Sequence, residues 1–331
     1  MISHRIANQI RDKIDNAERV MIVPHRGPDG DALGSLLGLK KVLEEKFHKE
    51  VIPIVDSVER LPQELSFLPG FSSIRDSFKN NEADLVIFVD HNEFSRTGFH
   101  RIKPNWEQSV RDLVIIDHHE TLSEPRVPDA VVLSNPQSPS TTMLLHELFQ
   151  LWDVNITADL ATCLLLGIIT DTDSFRNTNT TPEAMDSASE LVRIGADRRR
   201  IFDDFVRVQR AKSLLLWGRA MSNLRVTKNR FAVTSLRQKD FVDLGISEQE
   251  DFLTGLANSI IRSVEGIRAG FLFVEKDFGV KVSMRTAPGS DFDVARVAEL
   301  FGGGGHIRSA GFFLPGKKLQ QETSFTFAEK I

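Results

Sequence analysis

The chain has 331 residues, 41% of them hydrophobic, which is long for one core and comfortable for two domains. No apolar run reaches the roughly 18 residues needed to cross a bilayer, and MISHRIANQIRDKID (1–15) lacks the apolar stretch of a signal peptide, so a cytoplasmic protein with no membrane partner is expected. A net charge of −5 argues against tracking of long nucleic acid, and the single cysteine excludes an internal disulfide and a thiolate zinc cluster.

In chain order, RVMIVPH (19–25), VIPIVD (51–56), DLVIFVD (84–90), DLVIIDHH (112–119) and AVVLSN (130–135) are aliphatic runs without polar alternation. Such runs suit strands buried on both faces of a parallel sheet. Between the first two lies GSLLGLKKVLEEKFH (34–48), an amphipathic helix, so the unit reads βαβ and the fold class as α/β with a doubly wound, mostly parallel sheet. From 140 to about 225 the pattern is helical, with TADLATCLLLGIITDT (157–172) and TPEAMDSASELVRIG (181–195). Pro182 after Thr180 and Thr181 marks a helix start, and Cys163 reads as a buried, inert thiol. Arg198, Arg199, Arg200, Arg207, Arg210 and Lys212 read as the solvated face of a linker helix, the steering of an anion being the alternative. A second, smaller αβ unit follows: FAVTSL (231–236), GIRAGFLFVEK (266–276), GVKVSMRT (279–286), a helix near DVARVAEL (293–300) and FGGGGHIRSAGFF (301–313).

Ligands of open α/β sheets collect beyond the carboxyl ends of the strands. His25, Asp90 and the triplet Asp117, His118, His119 stand there. In VPHRGPDGDALGS (23–35), Gly30 lets Asp29 and Asp31 face one point, a turn with a helix cap being the alternative. Asp171 closes GIITDTDSF. Carboxylates at buried element ends need partners. His25, Asp29, Asp31, Asp90, His118 and Asp171 exceed what one tetrahedral zinc takes and suit two divalent ions sharing a bridging carboxylate. Mixed imidazole and carboxylate donors favour Mn²⁺ over Mg²⁺ or Ca²⁺, and such a pair is a template for in-line attack at phosphorus. In GGGGHIRSAG (302–311) the amides of Gly303, Gly304 and Gly305, with His306 and Arg285, read as a clamp for a substrate phosphate, against the alternative of a flexible loop.

HRGPDGDALGS, VDHNEFSRTG, IIDHHE, GIITDTDSF followed by NTT (179–181), and SMRT with FGGGGHIRSAG occur in this order over nearly the whole chain. Together they resemble the DHH phosphoesterase family with a DHHA1 C-terminal domain. The resemblance implies a metal-binding DHH domain over 1–190, a helical hinge over 191–225 and a substrate-binding DHHA1 domain over 226–331, with the active site in the cleft between them. It implies that His25, Asp29 and Asp90 hold one metal and Asp31, Asp90, His118 and Asp171 the other, Asp90 bridging. His119 would face the substrate phosphate and Asp117 would orient the imidazoles. The cofactor would be two Mn²⁺ ions, with Mg²⁺ or Co²⁺ as substitutes.

Within the family, the length and glycine motif resemble bacterial oligoribonucleases that degrade nanoRNA, many of which also remove the 3′-phosphate of phosphoadenosine phosphate. Close relatives cleave cyclic di-AMP or pApA. The implied partners are short oligonucleotides or nucleotide phosphates, and a homodimer is left open. Exopolyphosphatase and inorganic pyrophosphatase activities rank lower, although VDHNEF is worded as in family II pyrophosphatases. A RecJ-type exonuclease would bring a more basic surface, and a degenerate nucleotide sensor would have lost metal ligands. Arg96 either positions its loop or touches substrate, Ser140 caps the following helix, meets phosphate at its N-terminus or does both, and His91 either reaches a phosphate or is structural. TDTD stands where the family usually has glycine after TDT, and Asp173 reads as a helix-end cap rather than an outer-shell acid.

Overall fold

Five aliphatic runs become β1 (Arg19–Val23), β2 (Glu50–Pro53), β3 (Leu85–Val89), β4 (Leu113–Asp117) and β5 (Val131–Ser134), all parallel in the order β2-β1-β3-β4-β5. The order reverses between β1 and β3, which opens a crevice at their carboxyl ends. The computed structural model describes residues 2–79, 82–101, 103, 105–119, 127–206, 211–246, 256 and 264–319. Arg207 and Arg210 of the basic stretch lie outside these residues. The chain divides into two compact units, Met1–Val208 and Gln209–Ile331.

In the first unit, alternate strand residues feed two cores. Val20, Ile22, Ile87, Val89, Val114 and Ile116 pack with α1 (His4–Asn16), α2 (Gly30–Glu45), α3 (Thr141–Leu151), α4 (Ala158–Asp171) and α5 (Pro182–Ile194). Met21, Phe88 and Ile115 point the other way, into Phe94, Phe99 and Trp106 carried on short 3₁₀ turns. Strands buried on both faces explain why their sequences show no polar alternation.

α2 begins four residues before the expected Gly34, because Asp29 caps it: the carboxylate accepts the amides of Asp31 and Ala32, each at 3.1 Å. Both readings of Asp29 and Asp31, cap and convergence, hold together. On α2 the residues Gly30, Gly34 and Gly38 recur every fourth position and face α4. A β-carbon on Gly34 would overlap the carbonyl of Cys163, and one on Gly30 would overlap the side chain of Thr170. The two helices can touch backbone to backbone only because these side chains are missing. α5 starts at Pro182 with Thr181 accepting the Ala184 amide and stops at Gly195, whose φ is +116°.

The described residues of the second unit form one six-stranded sheet of β6 (Arg225–Val226), β7 (Phe231–Leu236), β8 (Ala269–Lys276), β9 (Gly279–Thr286), β10 (Gly304–His306) and β11 (Ser309–Pro315), ordered β10-β11-β9-β8-β7-β6. Only β7 and β8 run parallel. One face packs on Leu216 and Ala220 of α6 (Ala211–Ser222) and Phe241 of α7 (Gln238–Asp243), the other on Val294 and Ala298 of α8 (Val294–Glu299). This unit carries 18 Lys and Arg against 13 Asp and Glu, net +5, whereas the first carries 23 against 33, net −10.

Candidate metal centre

The carboxyl ends of β1, β3 and β4 present His25, Asp90 and Asp117 to His119, as the sheet order requires. α2 brings Asp29 and Asp31 at its first turn, and α4 brings Asp171 as its last residue. His25 Nε2 stands 3.3 Å from Asp90 Oδ2 and 3.9 Å from Asp29 Oδ1. His118 Nε2 stands 3.1 Å from Asp171 Oδ2 and 3.5 Å from Asp90 Oδ1. Asp90 therefore turns one oxygen to each imidazole. Its own φ is +62°, a left-handed conformation that strains most residues and that Asp tolerates better than others.

The donor atoms of His25, Asp29 and Asp90 lie within 4.8 Å of one another, as do those of Asp31, His118 and Asp171. Among the described residues a third such group is formed by Asp90, His118 and His119. All six sequence-derived ligand candidates thus come together. The ring orientations suit ligation: His25 Nδ1 donates to the Arg26 carbonyl at 3.1 Å and His118 Nδ1 to the Ser138 carbonyl at 3.2 Å, which turns each Nε2 toward the carboxylates, where a cation could replace its proton. An all-oxygen-and-nitrogen donor set with a shared central carboxylate fits a pair of divalent cations.

The electrostatics express the same crowding. Burial disfavours charge on both imidazoles, but the Asp90 carboxylate overrides it and pushes His25 up to about 9, while Asp171 and Asp90 push His118 up to about 12. Asp171 is raised to about 6 by burial and by the charges of Asp29 and Asp90. Asp31, fully buried beside Asp171 and Asp90, is raised well above the carboxylate range. Asp90 is held below it, since hydrogen bonds from His118 and His25 outweigh burial. Four carboxylates gathered around two imidazoles leave excess negative charge that protons or cations must balance.

Residues outside the expected motifs build the floor. Asp31 accepts the amides of Thr141 at 2.7 Å and Thr142 at 2.9 Å, with the Thr142 hydroxyl at 2.7 Å, so the start of α3 rests on it. The Thr141 hydroxyl donates to Asp90 Oδ1 at 3.1 Å. Nothing local in the sequence around Thr141 and Thr142 announces a partner 110 residues away; the available signal is a pair of donors at a capped helix start. Asn177 and Asn179 donate to the carbonyl of Asp171 at 3.0 and 3.3 Å, and Asn179 also to that of Pro139 at 3.2 Å, which gives the NTT motif its work.

Other expectations are resolved differently. Ser140 is fully buried, and its hydroxyl accepts the Met143 amide and pairs with Thr142, so it caps α3 and does not present itself to a phosphate. His91 is fully buried between the carbonyls of Val23 and Glu93, each at 3.1 Å, and burial pushes it down to about 4; it is structural. Arg96 is exposed on the 3₁₀ turn Phe94–Thr97, where its carbonyl receives the Arg26 amide at 2.7 Å. Asp173 follows the C-cap Thr172 at φ +50°, its amide on the Thr170 carbonyl at 3.1 Å and its carboxylate on Arg176 at 2.9 Å; it stands in the left-handed position that ends a helix, which is why glycine is usual there. His119 Nδ1 lies 2.7 Å from Asp117 Oδ1; burial raises Asp117, but the hydrogen bonds and charge of His119 outweigh it and hold the carboxyl below its ordinary range.

The glycine run is not a loose loop. Gly302, at φ +71°, ends α8, and the Gly303 amide donates to the Ala298 carbonyl at 2.9 Å, so that amide is already spent. Gly304 to His306 form edge strand β10, in register with β11, so that His306, Ser309 and Arg285 line up across three strands. Gly305 must be glycine, since its φ is +141° and a β-carbon would meet the Ser309 carbonyl.

Residues 19–168 match the model of the DHH family, N-terminal domain. The chain is 33% identical over 304 residues to the bifunctional oligoribonuclease and PAP phosphatase NrnA of Thermus thermophilus, covering 91% of the chain and 86% of that protein. It is 25% identical over 318 residues to the cyclic-di-AMP phosphodiesterase PdeA of Listeria monocytogenes, where it spans 92% of the chain but only 46% of the longer relative. The crystal structure of an exopolyphosphatase-related protein from Bacteroides fragilis superposes with a TM-score of 0.86 at 25% identity, covering 100% of this chain and 97% of that one.

Proposed function

The chain belongs to the DHH family of metal-dependent phosphoesterases, and on that footing we propose that it hydrolyses short oligonucleotides such as nanoRNA and pApA to mononucleotides, with phosphoadenosine phosphate as a further substrate. The observation that carries this reading is the pair of donor groups that Asp90 connects. Similarity to the Thermus oligoribonuclease along most of both chains supports the substrate class. So does the net charge of +5 on the second unit, which favours anionic ligands without the strongly basic surface of a long-DNA binder.

In this reading His25, Asp29 and Asp90 hold one cation and Asp31, Asp90, His118 and Asp171 the other, Mn²⁺ being favoured by the mixed donors. When bound, such a pair supplies a water-derived nucleophile at neutral pH and neutralises charge on the phosphoryl group. His119 gives its Nδ1–H to Asp117 and directs Nε2 at the substrate phosphate, to which it donates when that nitrogen also carries a proton. Arg285 and His306, aligned across β9, β11 and β10, hold a substrate phosphate with the backbone at Gly304 and Gly305.

Cyclic di-AMP is the second reading, favoured by the Listeria relative, of which the chain spans about half. A turnover panel with Mn²⁺ separates these: pApA, longer nanoRNA, phosphoadenosine phosphate, cyclic di-AMP, pyrophosphate, polyphosphate and long single-stranded DNA. The short linear substrates are expected to have the highest kcat/KM; a preference for pyrophosphate or polyphosphate would overturn the assignment.

A further inference from the structure

Three consecutive residues after β3 have three different attachments. Asp90 lies between the two imidazoles of the centre. His91 fastens the segment to the carbonyl of Val23, at the end of β1, and to that of Glu93. Asn92, buried at 7% exposure, donates from Nδ2 to Asp117 Oδ2 at 3.0 Å. The other oxygen of that carboxylate, Oδ1, takes the backbone amide of His119 at 3.2 Å and its ring Nδ1 at 2.7 Å. Asp117 itself is fully buried. Each of its oxygens thus faces a different partner, and the carboxylate cannot rotate without breaking one of these bonds.

We propose that Asn92 is a positioning residue for His119, acting through Asp117. Its amide fixes the plane of the carboxylate, the carboxylate fixes which ring nitrogen of His119 carries the hydrogen, and Nε2 is thereby held ready for the substrate. The arrangement follows the logic in which a reactive side chain is oriented by a second group and that group by a third. An amide suits position 92 because it donates without adding charge, whereas a carboxylate would set a second negative charge against a buried Asp117. With no donor at 92, Asp117 Oδ2 would lose this partner, and the carboxylate would be free to turn toward other donors, taking His119 with it. This inference rests on the reading that His119 meets the substrate phosphate.

The test compares wild type, Asn92→Ala, Asn92→Ser, His119→Ala and the Asn92→Ala/His119→Ala double variant. Steady-state kinetics are measured on the best substrate of the panel, Mn²⁺ binding by calorimetry, and the His119 ring nitrogens by ¹⁵N NMR of the metal-free protein. Asn92→Ala should lower kcat about 10- to 100-fold with KM changed less than about threefold, and Mn²⁺ binding should stay at the wild-type level. Asn92→Ser, which keeps a shorter donor, should fall between and serves if the alanine variant does not fold. In the His119→Ala background, removing Asn92 should cost less than about twofold, since residues that act as a unit are not additive. The Nδ1–H signature of His119 should give way to a tautomer mixture. An equal loss in both backgrounds, or a loss of Mn²⁺ binding that tracks the loss of kcat, would overturn the proposal. Wild-type protein inactive on every phosphoester would instead sink the functional reading, leaving the NMR comparison to judge Asn92 by itself.

Discussion

Gly167 on α4 and Asp31 on α2 share one small volume: a β-carbon on Gly167 would overlap Oδ1 of Asp31 and the hydroxyl of Thr142. Gly167→Ala should therefore displace Asp31 from the centre and cost about 1–3 kcal/mol through overpacking. Gly218 on α6 is the control, because a β-carbon there meets nothing within 4 Å. Gly218→Ala should stabilise by about 0.5–1 kcal/mol through helix propensity. Urea denaturation of both variants, with Mn²⁺ titrations, checks the contrast; equal effects at the two glycines would refute it.

Asp173, Ser174 and Phe175 are three successive residues at positive φ, directly after the last turn of α4 and Asp171. Left-handed backbone costs a residue with a β-carbon about 1–2 kcal/mol. Asp173→Gly and Asp173→Ala both lose the pair with Arg176, so the difference between them isolates the backbone. The glycine variant should be the more stable by about 1 kcal/mol. Alanine matching glycine in urea midpoint would show that this turn relaxes freely.

The centre should couple metal to fold. Without cations, Asp29, Asp31, Asp90 and Asp171 face one another around two imidazoles. Mn²⁺ at 100 times its Kd should add about 2.7 kcal/mol per independent site, seen as a higher thermal midpoint that EDTA reverses. His118→Ala should abolish turnover and shrink that Mn²⁺-induced gain while leaving the metal-free midpoint within a few degrees. Arg285→Ala should raise KM and leave the gain untouched. A full Mn²⁺ response in His118→Ala would remove His118 from the ligand set.

Cys163 is fully buried beneath the α2–α4 crossing, and burial pushes its thiol from 9.0 up to about 12. A folded state that resists ionisation keeps its full stability below pH 9 and loses part of it as the pH rises from there toward 12, because only the unfolded chain gains thiolate. Native protein at pH 8 should resist iodoacetamide until urea unfolds it, and Cys163→Ala should show a shallower fall in urea midpoint between pH 8 and 10. Rapid alkylation of the native thiol would contradict the packing.

The strands and the six donors could be read from sequence because each is announced locally, by an unbroken aliphatic run or by an acid or imidazole at its end. Thr141, Thr142 and Asn92 could not, since their meaning lies in partners across the chain: Thr142 meets Asp31, and Asn92 meets Asp117. The glycine run was ambiguous for a related reason. Glycines that stop a helix, build an edge strand and admit a phosphate look alike in a string, and only the Ala298 carbonyl and the register with β11 tell Gly303 from Gly305. α2 began early because the Asp29 cap competes with any boundary drawn from the aliphatic pattern alone.

The six donors are drawn from five segments between His25 and Asp171, and the group of Asp31, His118 and Asp171 is complete only once α4 has docked on α2. During synthesis, a ribosome that has not yet extruded residue 171 holds a chain in which that group lacks one carboxylate. A product truncated before α4 would therefore retain, of the two donor groups that Asp90 connects, only that of His25, Asp29 and Asp90.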